Sequence, residues 1–251
     1  NKSDYTPTST NTAGTFRLDS GTRIVGAVNV GSYILILTNT SAYSMTFIGP
    51  PFTFGIQQVG SNCGLMGQHA MIAVNGVVYW MGQAGGFYVY DGTVKKIDCS
   101  VEDFVFTTQD TNDLGINFNS GDIIYAGYNS LFSEINWFYP KNGSSQIDRV
   151  VSLNYLEGVW TVGSLGRTTY YDKTIYDNPY ATEFNATAIP NFPTIQGATN
   201  TNGATTLYAH EKGNNQVLAD GTVSAIVGSI QSGDFEVKLN IPGEGVTSTG
   251  E

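Results

Sequence analysis

Side chains able to do acid–base, nucleophilic or metal chemistry are sparse in this sequence. His69 and His210 are the only histidines. A Ser/His/carboxylate triad needs one of them beside a nucleophile, yet the chain has no Gly-x-Ser-x-Gly elbow, and neither histidine sits in a zinc-binding spacing. His210-Glu211 forms an adjacent imidazole–carboxylate pair, read more simply as a strand-end histidine with a hydrogen-bond partner. A glycosidase needs two carboxylates facing across a cleft, and no spacing marks a pair among Glu157, Glu211 and Asp234. The run Asn154-x-x-Glu157-Gly158-x-Trp160 resembles the Asp-box turn of sialidases, where the acidic residue and glycine serve a tight hairpin and the tryptophan a core.

Three further patterns fall short of a site. Asp110-Thr111-Asn112-Asp113-Leu114-Gly115 offers oxygen ligands of the kind Ca²⁺ takes but lacks the downstream Glu of an EF-hand, so it reads as a solvated loop. The glycine-rich stretch 82–86 has no Lys-Ser/Thr ending and no following helix, which argues against a phosphate loop. Cys63 and Cys99 are too few for a disulfide scaffold and lack metal-site spacing; they read as buried free thiols, with a disulfide between them as the alternative. The sequence therefore predicts no catalytic, cofactor or metal site.

Composition points to strands. Of the 251 residues 13% are charged, against roughly 25% in average globular chains, while Gly, Asn, Thr, Ser and aromatics are plentiful. No apolar run approaches the ~18 residues of a membrane helix, and no segment has the form of a signal peptide. The chain lacks an initiating Met and opens on a polar stretch at Asn1, which reads as a piece of a longer polypeptide. Its net charge is -10, with Lys95-Lys96 the only adjacent basic pair, so a basic face for phosphate-backbone binding is not expected and DNA near such a surface would slide past.

The elements repeat. Segments 71–74, 77–81, 87–90 and 93–97 are apolar runs separated by Asn75-Gly76, the glycine-rich stretch and Asp91-Gly92, the hairpin dipeptides that supply positive φ in type I′ turns. Segments 23–28, 33–38, 42–48 and 52–59 precede them in the same pattern. Tyr33 aligns with Val77 and Tyr43 with Phe87 at a common offset of 44 residues, the length of one propeller blade. A third set, 123–126, 134–139, 149–155 and 159–162, closes on the Leu156-Glu157-Gly158 turn and carries Ile135, Trp137 and Tyr139 on one face. A looser fourth set begins at 168–171, resumes at 205–209 and reaches Asp220-Gly221-Thr222-Val223, an echo of Asp91-Gly92-Thr93-Val94. The expectation is one all-β domain over 1–251, a β-propeller of four-stranded antiparallel blades with units near 23–59, 69–106, 123–165 and 167–230, incomplete as a ring within this chain. A sandwich or an irregular β stack is the alternative.

Trp80, Trp137 and Trp160 fall inside strands of consecutive units, which suits packing between blades better than carbohydrate stacking. Segment 172–202, rich in Asn, Thr and Pro, interrupts the fourth unit as a long loop. It carries Tyr176, Tyr180, Phe184, Ile189, Phe192 and Ile195, anchors that suit an interface loop ordering on a neighbour, with a lid over its own blade as the alternative.

Several runs, in this order, resemble the tail hub or nozzle proteins of short-tailed bacteriophages, also called packaged-DNA stabilisation proteins. They are Ser61-Asn62-Cys63-Gly64-Leu65-Met66-Gly67, Asn75-Gly76-Val77-Val78-Tyr79-Trp80-Met81-Gly82 and Phe87-Tyr88-Val89-Tyr90-Asp91-Gly92. Then come Glu134-Ile135-Asn136-Trp137-Phe138-Tyr139-Pro140, Glu157-Gly158-Val159-Trp160-Thr161-Val162-Gly163, Arg167-Thr168, His210-Glu211 with Gly213, and Ser232-Gly233-Asp234-Phe235. The resemblance covers most of 31–236. It implies a non-enzymatic virion protein, assembled in the bacterial host cytoplasm as a ring of six copies around the DNA channel. Its partners would be portal and adaptor proteins and the tail fibres or tip, and no cofactor is implied. A carbohydrate-active propeller and a glycan-binding surface module are the competing readings.

Overall fold

The structure, a computed structural model, describes residues 6–8, 11, 13–50, 52–107, 115–172, 196–201, 204–209, 215–217 and 222–225. It is mostly β. The chain divides into two compact units, Asn1–Glu211 and Lys212–Glu251, which the sequence reading groups as one domain. The second unit contains a hairpin of β16 (Asn215–Val217) and β17 (Val223–Ala225).

The first unit is built from consecutive antiparallel meanders. The first sheet comprises β1 (Ile24–Asn29), β2 (Tyr33–Thr38), β3 (Ser41–Gly49) and β4 (Thr53–Ser61). The second comprises β5 (Met71–Val74), β6 (Val77–Met81), β7 (Phe87–Tyr90) and β8 (Val94–Ile97), and the third β9 (Tyr125–Asn129), β10 (Glu134–Tyr139), β11 (Arg149–Asn154) and β12 (Val159–Gly163). Each pairs in chain order. The common offset of 44 survives in the structure: Tyr33 and Val77 both open the second strand of their sheet. First strands neighbour one another along the chain, β1 beside β5 and β5 beside β9.

Asn75 and Gly76 both take positive φ, +51° and +84°, so the β5–β6 hairpin is the two-residue turn the dipeptide predicts. Asp91-Gly92 also turns a hairpin, between β7 and β8, but not as the two-residue type. Only Gly92 is positive there, because the Asp91 carboxylate accepts from the Thr93 amide and hydroxyl and fixes a three-residue loop instead. At the β11–β12 hairpin the amides of Leu156 and Glu157 both donate to Asn154 Oδ1, and Gly158 takes φ +70°.

Three expectations about strands need correction. The third sheet starts at Tyr125, not at 123, since Phe118–Ile123 is a 3-10 turn capped by Asn117. With the short helix α1 (Glu102–Phe106), that turn lengthens the connection between the second and third sheets and breaks the repeat length. The fourth set is not one unit: β13 (Thr169–Tyr171), β14 (Gln196–Thr201) and β15 (Ala204–Ala209) form a three-stranded sheet, with β13 beside β9, while β16 and β17 form their own. Gln196–Thr201 lies inside the segment expected as a loop, yet pairs with β13 and β15. Polar, small residues made it read as linker; ladder hydrogen bonds on both sides recruit it.

The core runs between the sheets. Leu35, Leu37, Val78, Trp80, Phe87, Ile135, Trp137 and Val151 are wholly buried. In β10 both faces are covered, not one: Ile135, Trp137 and Tyr139 face one side, while Phe138 on the other stacks on Tyr125 (4.9 Å between centroids) and meets Tyr170 of β13 (5.3 Å). Strands covered on both faces lose polar alternation.

Candidate functional site

The residues that organise this molecule sit at the joints between sheets. Between β4 and β5 the chain crosses over as Asn62-Cys63-Gly64-Leu65-Met66-Gly67. Cys63 and Leu65 amides donate to Thr40 and Thr38 carbonyls of the first sheet, at 3.0 Å each, while the Met66 amide donates to the Met81 carbonyl of the second, also at 3.0 Å. The Gln83 amide returns to the Gly64 carbonyl at 2.8 Å. At Gly64 a Cβ would stand 2.0 Å from the Asn39 carbonyl oxygen, so only glycine allows this approach.

Each tryptophan fastens a strand to such a joint. The Trp80 indole donates to the Cys63 carbonyl at 2.8 Å, Trp137 to Ala70 at 3.2 Å, and Trp160 to Asp98 at 2.9 Å. Sequence places these indoles in the core; it could not name acceptors that lie up to 67 residues away. Around them, Phe87 meets Trp137 at 4.8 Å and Trp160 at 4.6 Å, and the two indoles stack at 6.0 Å. The Ala70 carbonyl also accepts from the Met81 amide, and the His69 carbonyl from the Ala126 amide at 2.8 Å, so two consecutive residues join the second sheet to the third.

The candidate chemistry is scattered. His69 is exposed and contributes its backbone to the joint. Glu157 is exposed on the β11–β12 turn. The carboxyl of Asp91 is held below its usual range by the Lys95 ammonium 2.7 Å away and by the Thr93 amide, a local turn arrangement. Lys96 is pushed up by Glu102, 2.5 Å away, which ties β8 to α1. In the glycine-rich stretch the Gly82 and Gly85 amides donate to the Gly86 and Gly82 carbonyls, so they are committed within the loop. Among the described residues no cluster of three or more His, Cys, Asp or Glu is placed to hold a metal ion. His210, Glu211, Asp234, Asp110, Asn112 and Asp113 lie outside the described residues, as do Tyr176, Tyr180, Phe184 and Phe192 of the expected interface loop.

Cys63 and Cys99 are free, buried thiols. Burial raises both, Cys99 to about 11, which keeps them protonated and poorly nucleophilic near neutrality. Burial likewise raises the phenols of Tyr125 and, to about 12, Tyr139.

One surface feature had no counterpart in the sequence reading. β2 pairs with β3 only as far as Thr46, so beyond it Phe47–Gly49 and Thr53–Phe54 continue as a two-stranded ribbon. Phe47 (69% exposed), Ile48, Phe52 (72%) and Phe54 are all exposed on it.

The sequence matches no known family model, and no curated protein matches it.

Proposed function

We propose that this chain is a structural subunit of a bacteriophage tail, a hub or nozzle protein of β-propeller type that surrounds the DNA channel and serves tail assembly and genome retention and delivery. The observation that carries the propeller arrangement is the side-by-side placement of first strands in chain order, β1 to β5 to β9 to β13, as the inner strands of radially repeated blades are placed. The tail reading rests on the order of the resembling runs from Ser61 to Gly163. In the structure several of these runs meet at the sheet joints: the crossover at Gly64, the indole of Trp80 and the Trp137–Trp160 stack. In this reading the subunit forms a ring of six, meets adaptor and portal proteins and fibres or a tip, and lets DNA pass without specific binding. An acidic chain repels a phosphate backbone, which suits passage over capture.

The carbohydrate-active alternative wants indole faces open to a sugar. All three indoles are instead buried and spend their N–H groups on backbone carbonyls. The deciding experiment is imaging of native particles that contain this chain: six copies around a channel support the proposal, and a location outside the tail overturns it. Reproducible release of sugar from host polysaccharide by the purified chain would favour the enzyme.

A further inference from the structure

Between Arg23 and Asp91 the chain contains no Asp, Glu, Lys or Arg, although its net charge is -10. The whole first sheet after Arg23 is therefore uncharged, and the exposed β3–β4 ribbon lies at its end. Phe47 and Phe54 meet edge to face across the ribbon, 5.8 Å between centroids. Gly49 at φ +81° and Thr53 at φ +61° shape its tip. A lone two-stranded ribbon is marginal in water, and four exposed apolar side chains at one tip form the kind of patch that marks an interaction site.

Below the ribbon an open groove of about 430 Å³ runs between the first two sheets, lined among others by Ser44, Thr46, Gln57, Val59, Tyr90 and Gly92. Its lining carries no charge either. The volume is within the ~300–1,000 Å³ of ligand clefts, and the lining sets Ile48, Ile56, Val59 and Tyr90 beside the uncharged polar groups of Ser44, Thr46 and Gln57.

We propose that the ribbon tip of one copy docks into this groove on a second copy. Two copies at -10 each repel over most of their surface, and the uncharged tip and groove are where they can approach without adding to that repulsion. An anionic lipid surface would meet the same long-range repulsion. Tip and groove adjoin at Ile48, which lines the groove, but Phe47, Phe52 and Phe54 do not line it, so insertion of these rings into a second copy is head-to-tail and propagates from copy to copy, closing into a ring where the rotation allows. This deepens the tail reading, on which its biological setting rests, by naming the surface that joins the copies.

The test is sedimentation of the purified full chain over a range of concentrations, at low and high salt. Concentration-dependent association that strengthens with salt is expected, because salt screens the repulsion and leaves apolar contact intact. Phe47→Ser with Phe52→Ser should weaken it roughly tenfold or more, as loss of central aromatic anchors does, with at most a small fall in the thermal melt, since both rings are exposed and only the Phe47–Phe54 contact is lost. A Phe52→Cys chain mixed with a Gln57→Cys chain should cross-link to each other, whereas Phe52→Cys linking only to itself overturns the head-to-tail geometry. A monomer at every concentration also overturns the proposal, as does ribbon-dependent binding to phosphatidylcholine vesicles without self-association. If particles place this chain outside the tail while the purified chain associates through the ribbon, the tail reading fails and this inference stands.

Discussion

Trp137→Ala tests whether the joint between the second and third sheets holds the molecule together. The side chain is wholly buried, and truncating a buried tryptophan costs about 3–5 kcal/mol through lost transfer energy and the cavity left behind. The ring contacts with Phe87 at 4.8 Å and Trp160 at 6.0 Å put the value in the upper half of that range. The lost indole hydrogen bond accounts for only about 0.5–1.5 kcal/mol of this: the Ala70 carbonyl keeps its Met81 amide partner, so no buried acceptor is orphaned. The expected loss is thus about 4–5 kcal/mol. At roughly 2–4 °C per kcal/mol for a unit of this size, the melting temperature should fall by about 8–20 °C. Trp137→Phe keeps most of the ring contact and loses the donor, so it should cost about 1–2 kcal/mol. Guanidinium denaturation followed by far-UV circular dichroism reads both. A Trp137→Ala midpoint within error of wild type would refute the reasoning, and glycan binding lost in the same variant would recast the tryptophan as a ligand platform.

Gly64→Ala should cost at least about 2 kcal/mol, because its Cβ would overlap the Asn39 carbonyl and the crossover strand must shift; a melt unchanged from wild type would show that the joint gives way freely. Tyr139→Phe should be neutral or stabilising by about 1 kcal/mol, since the buried hydroxyl has no hydrogen-bond partner among the described residues; a clear loss in denaturant midpoint would mean that the hydroxyl is bonded in solution. Cys99 and Tyr139 are raised in the folded state to about 11 and about 12, above their usual 9.0 and 10.0. The folded chain therefore holds protons that the unfolded chain releases, so the stability they contribute is complete below about pH 9 and is lost from there toward pH 12. Denaturant midpoints that fall between pH 9 and 12, less steeply in Tyr139→Phe, are expected, and midpoints flat across that range would contradict the burial.

Sequence made the strands legible wherever turn chemistry and strand propensity agreed. Asn75-Gly76 fixed a hairpin because both residues accept positive φ, and the flanking strands 71–74 and 77–81 match the structure residue for residue. Asp91-Gly92 marked its hairpin but not the turn type, because an aspartate can satisfy neighbouring amides with its own carboxylate and so choose a three-residue loop. β14 was illegible since Gln196-Gly197-Ala198-Thr199-Asn200-Thr201 has no apolar period, and its strand character comes from partners on either side. At the joints, tryptophan burial could be read from residue type. Which carbonyl each indole meets is tertiary information, and so is the glycine that makes the Gly64 crossover fit. The exposed ribbon was missed for the opposite reason: Phe47, Phe52 and Phe54 look like core residues until β2 is seen to stop pairing at Thr46.

The joints also determine how the sheets come apart. The Ala70 carbonyl accepts from Met81 in the second sheet and from the Trp137 indole in the third, while the neighbouring His69 carbonyl accepts from Ala126 in the third. Repeat architectures open sheet by sheet when the interface between neighbours is weaker than the sheets themselves. Here the interface contains Phe87, Trp137 and Trp160 in mutual contact, and removing any sheet from it exposes rings that the other sheet also uses. Opening the third sheet alone would strand Phe87 in water and take the donors from the His69 and Asp98 carbonyls, while the Ala70 carbonyl keeps its Met81 partner, so the second and third sheets should open as one unit. Native-state hydrogen exchange measures this directly: the amides of Met81 and Ala126, one on each side of the joint, should exchange with the same free energy and the same denaturant dependence. Exchange at Ala126 with a much smaller free energy than at Met81 would mean that the third sheet leaves first. The indoles would then be packing one sheet, not coupling two.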